Sequence, residues 1–274
     1  MVDPLRRVSW LARLGYAARG VVYLIIGYFA IQAARGSGSP TDSEGALSSL
    51  LDEPMGRILL AVIALGLLGY SLWRAVQAVL DVDDHGASAK GLAIRGGLLA
   101  SAVIHTSLAI FAVGLVTGSD GGSGGGGAQD WTAWLLEKPF GQWLVGAVGV
   151  AVLGAAVGHF VKAYKAGFRK HMSPDPQVRR IVDPVGRAGL SAKGVVFIIL
   201  GGFFITAALH ADASEVGGLG DVLRTLQSQP FGPWLLGLLA LGLIAFGIYS
   251  IVEAIYRRID APKAVHRLRS AAGG

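Results

Sequence analysis

The side chains of this chain that could do chemistry are polar or ionisable groups inside long apolar stretches. A charged group is costly inside a membrane, and there it marks a candidate functional site. The candidates for lining a cavity or holding a ligand are Arg19, Tyr23, Arg74, Gln77, Ser101, His105, His159, Lys162, Lys193 and Glu253. One hypothesis is a cytoplasm-facing cavity that binds an anion or an anionic headgroup, lined by Arg19, Arg74, His159, Lys162 and Lys193.

Spacing within repeated segments places these candidates at matching depths. Three of them lie six residues, or about 9 Å, beyond an arginine at the start of an apolar stretch. Matching the depths of outgoing and returning helices pairs Arg19 with Gln77, Ser101 with Lys162, and Lys193 with Glu253. The last pair would be an ion pair, which avoids an unpaired charge at low dielectric. A structural clamp between two helices and a ligand-binding layer both remain open.

His105 lies about 13 residues into its apolar stretch, and therefore near the middle of a membrane of ordinary thickness. It could be a hydrogen-bonded core histidine, a proton or ligand site, or a haem ligand. A haem held by two histidines would need His159 at the same depth, but the two lie roughly 12 Å apart along the membrane normal. We therefore predict no bound cofactor and no metal.

Other polar groups recur near the ends of the apolar stretches. Arg13, Arg95 and Arg187 stand at equivalent positions, where we expect them to extend to lipid phosphates as headgroup anchors. The turn 81–85 carries three Asp and one His. It could bind a divalent cation, although a solvated turn is the favoured interpretation.

Two motifs of common catalytic sites are missing from the sequence. It contains no His-Glu-Xaa-Xaa-His and no phosphate loop with Gly-Lys-Ser or Gly-Lys-Thr. Cysteine is absent, which excludes a disulfide framework and a thiolate metal site. An enzyme is therefore not favoured, although the sequence leaves the question open.

The elements that must position these residues are membrane spans. The chain is 53% hydrophobic and 15% charged, against roughly 25% charged residues in soluble domains. Crossing a hydrocarbon core takes about 20 residues. Six apolar runs are long enough, at residues 14–34, 55–79, 92–117, 140–164, 189–209 and 232–256.

The positive charges lie mostly on one side of these spans. Of the 24 Lys and Arg residues, only Arg35, Arg57, Lys138 and Arg224 fall on the other side. The positive-inside rule then predicts a multi-pass protein of the plasma membrane with both termini cytoplasmic. The net charge of +6 is thus a topology signal. We expect anionic lipid headgroups as partners and no nucleic acid.

The spans form three related units. Residues 13–34 and 187–208 share 12 identities in 22 ungapped positions, and a fainter copy begins at Arg95. The second span of each unit opens with Pro-Met-Gly or Pro-Phe-Gly, which predicts proline in the first helical turn. Both ends of each unit lie on the same side, so the repeats are parallel.

These observations predict an all-α membrane protein of six transmembrane helices. The helices form three parallel two-helix repeats with approximate threefold symmetry, at residues 1–80, 81–165 and 166–274. The last repeat carries a basic cytoplasmic tail.

The repeated Arg-Xaa-Gly-Tyr-Ala-Ala-Arg-Gly-Val-Val-Tyr and Pro-Phe-Gly motifs resemble those of a bacterial membrane family known as domain of unknown function 1206. This resemblance implies an integral membrane protein of three two-helix repeats, and it implies no activity. The second unit departs from the pattern. Ser101 replaces the cation found at Arg19 and Lys193, and His105 replaces an aromatic residue.

Two functions fit this sequence. The first is a transporter or channel with a polar, cytoplasm-facing cavity for a small or anionic ligand. The second is a lipid-binding protein or a structural accessory subunit of a membrane complex, and a homo-oligomer is compatible with both. If the first holds, the deep polar residues should face the axis of the bundle. A site is expected where the second repeat breaks the symmetry.

Overall fold

A computed structural model describes residues 4–119, 127–172 and 176–259. Within these ranges the chain is helical and contains no β-strand. Six helices are long and apolar enough to cross a membrane. They are α1 (Pro4–Ala34), α3 (Gly56–Leu80), α4 (Ala89–Thr117), α6 (Gly141–Tyr164), α7 (Pro176–His210) and α9 (Gly232–Tyr256). The predicted all-α membrane architecture is confirmed.

Shorter helices join the two spans of each repeat. They are α2 (Ser43–Ser48), α5 (Gly127–Leu136) and α8 (Leu219–Gln227). We call the side of the bundle that carries them the loop end. The opposite side, where α1, α4 and α7 begin, is called the basic end. Most of the glycine run 118–127 and most of the predicted basic tail lie outside the described residues.

Each returning helix begins with the same backbone device. Met55, Phe140 and Phe231 have left-handed φ angles of 64°, 64° and 61° and immediately precede α3, α6 and α9. The prediction that proline occupies the first helical turn is wrong, because each proline lies in the turn before this residue. Glycine must follow, since a Cβ on Gly56 would lie 1.7 Å from a backbone carbonyl oxygen.

The six spans pack in the order α4, α3, α1, α9, α7, α6, each helix packing on the next. A ring of three hairpins with approximate threefold symmetry predicts this order. The ring has one break, because α4 and α6, the two spans of the second repeat, share no extensive contact over their described lengths. The second repeat is therefore divided, with α4 packed on α3 and α6 packed on α7.

Glycine contacts show how the second repeat differs. A Cβ on Gly15 would lie 2.5 Å from the Tyr70 Cβ, and one on Gly189 would lie 2.6 Å from the Phe246 backbone. These are the same helix contact in the first and third repeats. Gly97 is the equivalent glycine of the second repeat, and a Cβ there would meet nothing within 4 Å. The sequence keeps the small residue, but the helix that should pack on it is displaced.

The interior towards the loop end is aliphatic. Ile26, Leu60, Leu67, Leu236 and Leu243 are fully buried there, between α1, α3 and α9. Close approach of α1 and α9 brings this core together, since Gly20 and Gly247 each lie against the other's carbonyl oxygen. Small residues permit such packing where lipid supplies no hydrophobic drive. The buried charged residues of α1 and α9, Arg19 and Glu253, lie nearer the basic end.

Candidate functional site

Arg19 of α1 is the central buried cation of the polar layer. Its side chain is 8% exposed, and its guanidinium donates to the Tyr70 hydroxyl of α3 at 2.5 Å and to the Ser250 hydroxyl of α9 at 3.0 Å. The same group forms an ion pair with Glu253 at 2.7 Å. Arg19 therefore joins α1, α3 and α9 and faces the interior.

Glu253 receives a second cation. Arg257, one turn later, donates to its other carboxylate oxygen at 2.5 Å. The side chain of Glu253 is only 4% exposed. A buried carboxylate is tolerated when paired and fully hydrogen-bonded, and Glu253 meets both conditions. We call Arg19, Tyr70, Ser250, Glu253 and Arg257 the ion-pair cluster.

Two of the predicted pairings are therefore wrong. Glu253 pairs with Arg19 and not with Lys193, because α9 packs closest to α1. Gln77 does not pair with Arg19 either. It accepts from Arg74 at 3.2 Å and donates to Asp83 at 2.6 Å. Matching depths within a repeat gave the correct layer, but the main contacts run between repeats.

Lys193 occupies the position of Arg19 in the third repeat but has a different environment. Its ammonium donates to the Tyr23 hydroxyl at 2.8 Å. Three ring centroids, those of Tyr23, Phe197 and Phe246, lie 5.0 to 5.1 Å from the nitrogen. Aromatic faces attract a cation, yet no carboxylate of the described chain lies within ion-pair distance of Lys193.

Lys162 of α6 is half-buried and likewise makes no hydrogen bond or ion pair with the described ranges. The predicted contact with Ser101 is wrong. His105 Nδ1 instead donates to the Ser101 carbonyl on the same helix, at 2.7 Å. Glu253 is the carboxylate that acts on Lys162 most strongly, and it already holds two arginines.

The two histidines lie at the borders of the divided repeat. His105 of α4 packs on Tyr70 of α3 with ring centroids 4.6 Å apart. His159 of α6 packs on Phe197 of α7 at 5.1 Å. The positive charges of Lys193 and Arg19 act electrostatically on both imidazoles. We call Lys162, Lys193, His105 and His159 the open cation group, because its two lysines have no carboxylate partner in the described chain.

The layer as a whole carries an excess of positive charge. Two carboxylates, Glu253 and Asp83, belong to its hydrogen-bond network. The cations number five, namely Arg19, Arg74, Lys162, Lys193 and Arg257. Buried or half-buried cations need an opposite charge nearby. This layer is therefore chemically suited to receive an anion.

The three expected headgroup anchors do not behave alike. Arg13 donates to the Ala254 carbonyl at 2.7 Å and to the Ile255 carbonyl. Arg95 donates to the Ala78 carbonyl at 2.7 Å, and thus caps the end of α3. Cationic side chains stabilise the unpaired carbonyls at a helix C-terminus. Arg187 is exposed and makes no such bond in the described structure. Of the three arginines, it is the one for which we still propose a role as a lipid anchor.

The acidic turn is occupied by the chain itself. The Asp81 carboxylate accepts backbone N–H bonds from His85 at 2.7 Å and from Gly86 at 2.8 Å. Slight desolvation acts to raise the pKa of Asp81, but these two donors outweigh it, so that its pKa lies below the usual 3.8. The described residues contain no cluster of three or more His, Asp or Glu suited to a metal ion.

Three regions of the chain, residues 14–81, 96–166 and 188–257, match the family described as Domain of Unknown Function (DUF1206). Together they span well over half of the sequence. The chain belongs to this family. A relative in Bacillus subtilis (strain 168), "Uncharacterized protein YxxB", is 39% identical over 259 residues, covering 93% of this chain and 94% of the relative. No solved structure matches the chain.

Sequence reasoning missed several residues of the candidate site. Tyr70 and Phe246 each face a cation, and they stand at equivalent distances from the Pro-Met-Gly and Pro-Phe-Gly motifs. Extending the repeat alignment along α3 and α9 would have found them. Arg257 lies just beyond its span, four residues after Glu253, which is the spacing of an ion pair on one helix.

Proposed function

We propose that this protein binds an anionic ligand, bearing phosphate or carboxylate, in the polar layer near the basic end of the bundle. The observation that carries the proposal is the pair Lys162 and Lys193, two half-buried ammonium groups without a carboxylate partner in the described ranges. The ion-pair cluster beside them cannot neutralise them, because Glu253 is already shared by two arginines. A bound anion supplies the missing charge.

The two sets of cations have different tasks in this proposal. Arg19 and Arg257 hold the framework, since each is committed to a buried ion pair. Lys162 and Lys193 hold the ligand. Lysine presents a compact charge with three donors on a flexible stem, and the neutral imidazole of His159 can donate one N–H. Tyr23 and Phe197 position the Lys193 ammonium.

Binding fits this structure better than passage through an open pore. The aliphatic core of Ile26, Leu67 and Leu243 is fully buried and fills the bundle between the polar layer and the loop end. A channel would require this core to separate, whereas a binding site requires no rearrangement. We place the basic end on the cytoplasmic face of the plasma membrane, following the positive-inside rule.

Thermal unfolding of the purified protein in a neutral detergent tests the proposal. The probes are inorganic phosphate, sn-glycerol 3-phosphate and phosphatidylglycerol, with phosphatidylcholine as the zwitterionic comparison. A ligand at 100 times its Kd stabilises the folded state by about 2.7 kcal/mol. We expect at least one anion to raise the melting temperature, and the double variant Lys162→Met, Lys193→Met to abolish that shift.

The matched control is Arg224→Met, which removes an exposed cation at the loop end. It should leave the anion-dependent shift unchanged. If none of the three anions stabilises the protein, or if the double variant responds like the unmodified protein, anion binding in this layer is refuted.

A further inference from the structure

We infer that the ligand is a membrane lipid with an anionic headgroup, and that it reaches the open cation group from the bilayer, through the gap between α4 and α6. This inference rests on the proposed function and specifies its ligand. It draws on three observations. They are the break in the helix ring, the positions of the unpaired cations relative to that break, and the character of the helix faces that border it.

The break is specific to the second repeat. In the first repeat, a Cβ on Gly69 of α3 would lie 2.7 Å from the Leu11 carbonyl oxygen of α1. The equivalent residue of α6 is Gly154, and a Cβ there would meet nothing within 4 Å. Gly97 on α4 is equally free of neighbours. Both faces of the second hairpin therefore carry packing glycines without a partner helix.

Three members of the open cation group lie on the helices that border this gap. His105 belongs to α4, and His159 and Lys162 belong to α6. Lys193 lies on the neighbouring helix α7 and acts electrostatically on both histidines. One unpaired cation therefore lies beside the gap and the other one helix away from it, whereas the ion-pair cluster is on the side where α1, α3 and α9 pack tightly.

The depth of these cations suits a lipid headgroup. Lys162 is two residues before the end of α6 at Tyr164, which places its Cα about 3 Å from that end at 1.5 Å per residue. Lys193 lies six residues, or about 9 Å, beyond Arg187 near the start of its apolar stretch. A phosphate at the membrane interface is therefore within reach of the lysines without leaving its leaflet.

The helix faces above this layer are apolar. Ile104 of α4 lies two turns beyond Gly97 on the same side of the helix and is 63% exposed. Val150 and Val157 of α6 lie about one turn to either side of Gly154 and are 62% and 61% exposed. Such side chains are suited to acyl chains and would leave a water-soluble anion without contacts in the gap. An amphipathic ligand suits both the lysines and the apolar helix faces, since its charged headgroup contacts the lysines and its acyl chains occupy the apolar space between α4 and α6.

The absence of cysteine from the sequence allows a direct test of the gap. A Cβ on Gly66 would lie 2.7 Å from the Ala18 Cβ. A disulfide needs Cβ atoms about 3.8 Å apart, so the two helices must separate by about 1 Å to form one. After this small shift the variant Ala18→Cys, Gly66→Cys should cross-link on mild oxidation. Ala100→Cys, Ala151→Cys, the equivalent pair of α4 and α6, should not. Equal cross-linking of both pairs would show that the gap is closed and overturn the inference.

Lipid retention then tests the ligand. The protein is placed in nanodiscs of equal parts phosphatidylglycerol and phosphatidylcholine, extracted in neutral detergent, and the retained phospholipids are measured by mass spectrometry. We expect phosphatidylglycerol to be retained in preference. Gly97→Trp fills the gap without touching a cation and should reduce that retention about tenfold, the factor expected when one good contact is lost. Leu238→Trp, on the lipid-facing side of α9 at 72% exposure, should not reduce it.

The outcomes separate the two proposals. Stabilisation by inorganic phosphate that depends on Lys162 and Lys193, without preferential retention of phosphatidylglycerol, would overturn the lipid inference and leave anion binding intact. Retention that is unchanged in Gly97→Trp would also overturn it, because entry through the gap would not be needed. Failure of every anion in both assays would refute both proposals.

Discussion

Removing the charge of Glu253 should destabilise this protein more than any other single neutralisation of a carboxylate in the described chain. The variant Glu253→Gln keeps the shape of the side chain but leaves Arg19 and Arg257 without their anion. Their side chains are only 8% and 7% exposed, so water cannot replace the lost partner. Breaking a buried pair in this way costs about 3–5 kcal/mol.

The expected change is large enough to measure by circular dichroism during thermal unfolding in detergent. At about 2–4 °C per kcal/mol for a chain of this size, the melting temperature should fall by roughly 6–20 °C. The matched control is Asp221→Asn, which breaks the ion pair with Arg224, whose two side chains are 44% and 60% exposed. Surface pairs contribute about 0–1 kcal/mol.

A double-mutant cycle sharpens the reasoning. In Arg19→Met, Glu253→Met both charges of the 2.7 Å pair disappear together, so the combined loss should be smaller than the sum of the single losses. Coupling energies for contacting residues are about 0.5–3 kcal/mol. If Glu253→Gln melts within the range of Asp221→Asn, the cluster is hydrated and the argument from burial is wrong.

Three further predictions separate structural from ligand-binding groups. Lys193→Met should change the stability by less than about 1 kcal/mol in phosphate-free detergent, because it removes a cation without a carboxylate partner; a loss like that of Glu253→Gln would mark Lys193 as structural. Arg95→Ala should cost about 1–2 kcal/mol in unfolding experiments, since it uncaps the carbonyls of α3, whereas Arg187→Ala should cost less than about 0.5 kcal/mol. Because the pKa of Asp81 is lowered on folding, its contribution is present above pH 3.8 and is lost as the pH falls below that value; Asp81→Asn should therefore flatten the stability profile in that acidic range, and an unchanged profile would contradict the turn geometry.

Sequence reasoning predicted the depth of the candidate site residues, but it did not predict which residues they contact. Most deep polar residues singled out from the sequence lie nearer the basic end, and His105 lies near the middle of α4, because depth follows from the number of residues into a helix. Partners did not follow in the same way. Arg19 and Glu253 are 234 positions apart in the chain, and which helix faces which is set by side-chain packing between repeats.

The sequence by itself determined the six spans, their parallel threefold repetition and the family, because these depend on apolar length and on residues that recur at fixed spacing. It also showed that the second repeat departs from the pattern of the other two at Ser101 and His105. Only the tertiary structure decided that the second hairpin is divided, that Glu253 pairs with arginines and not with Lys193, and that Lys162 and Lys193 lack carboxylate partners in the described chain. The physical reason is that glycines such as Gly15 and Gly97 are equal in sequence, and only the packed neighbour shows whether a contact has formed.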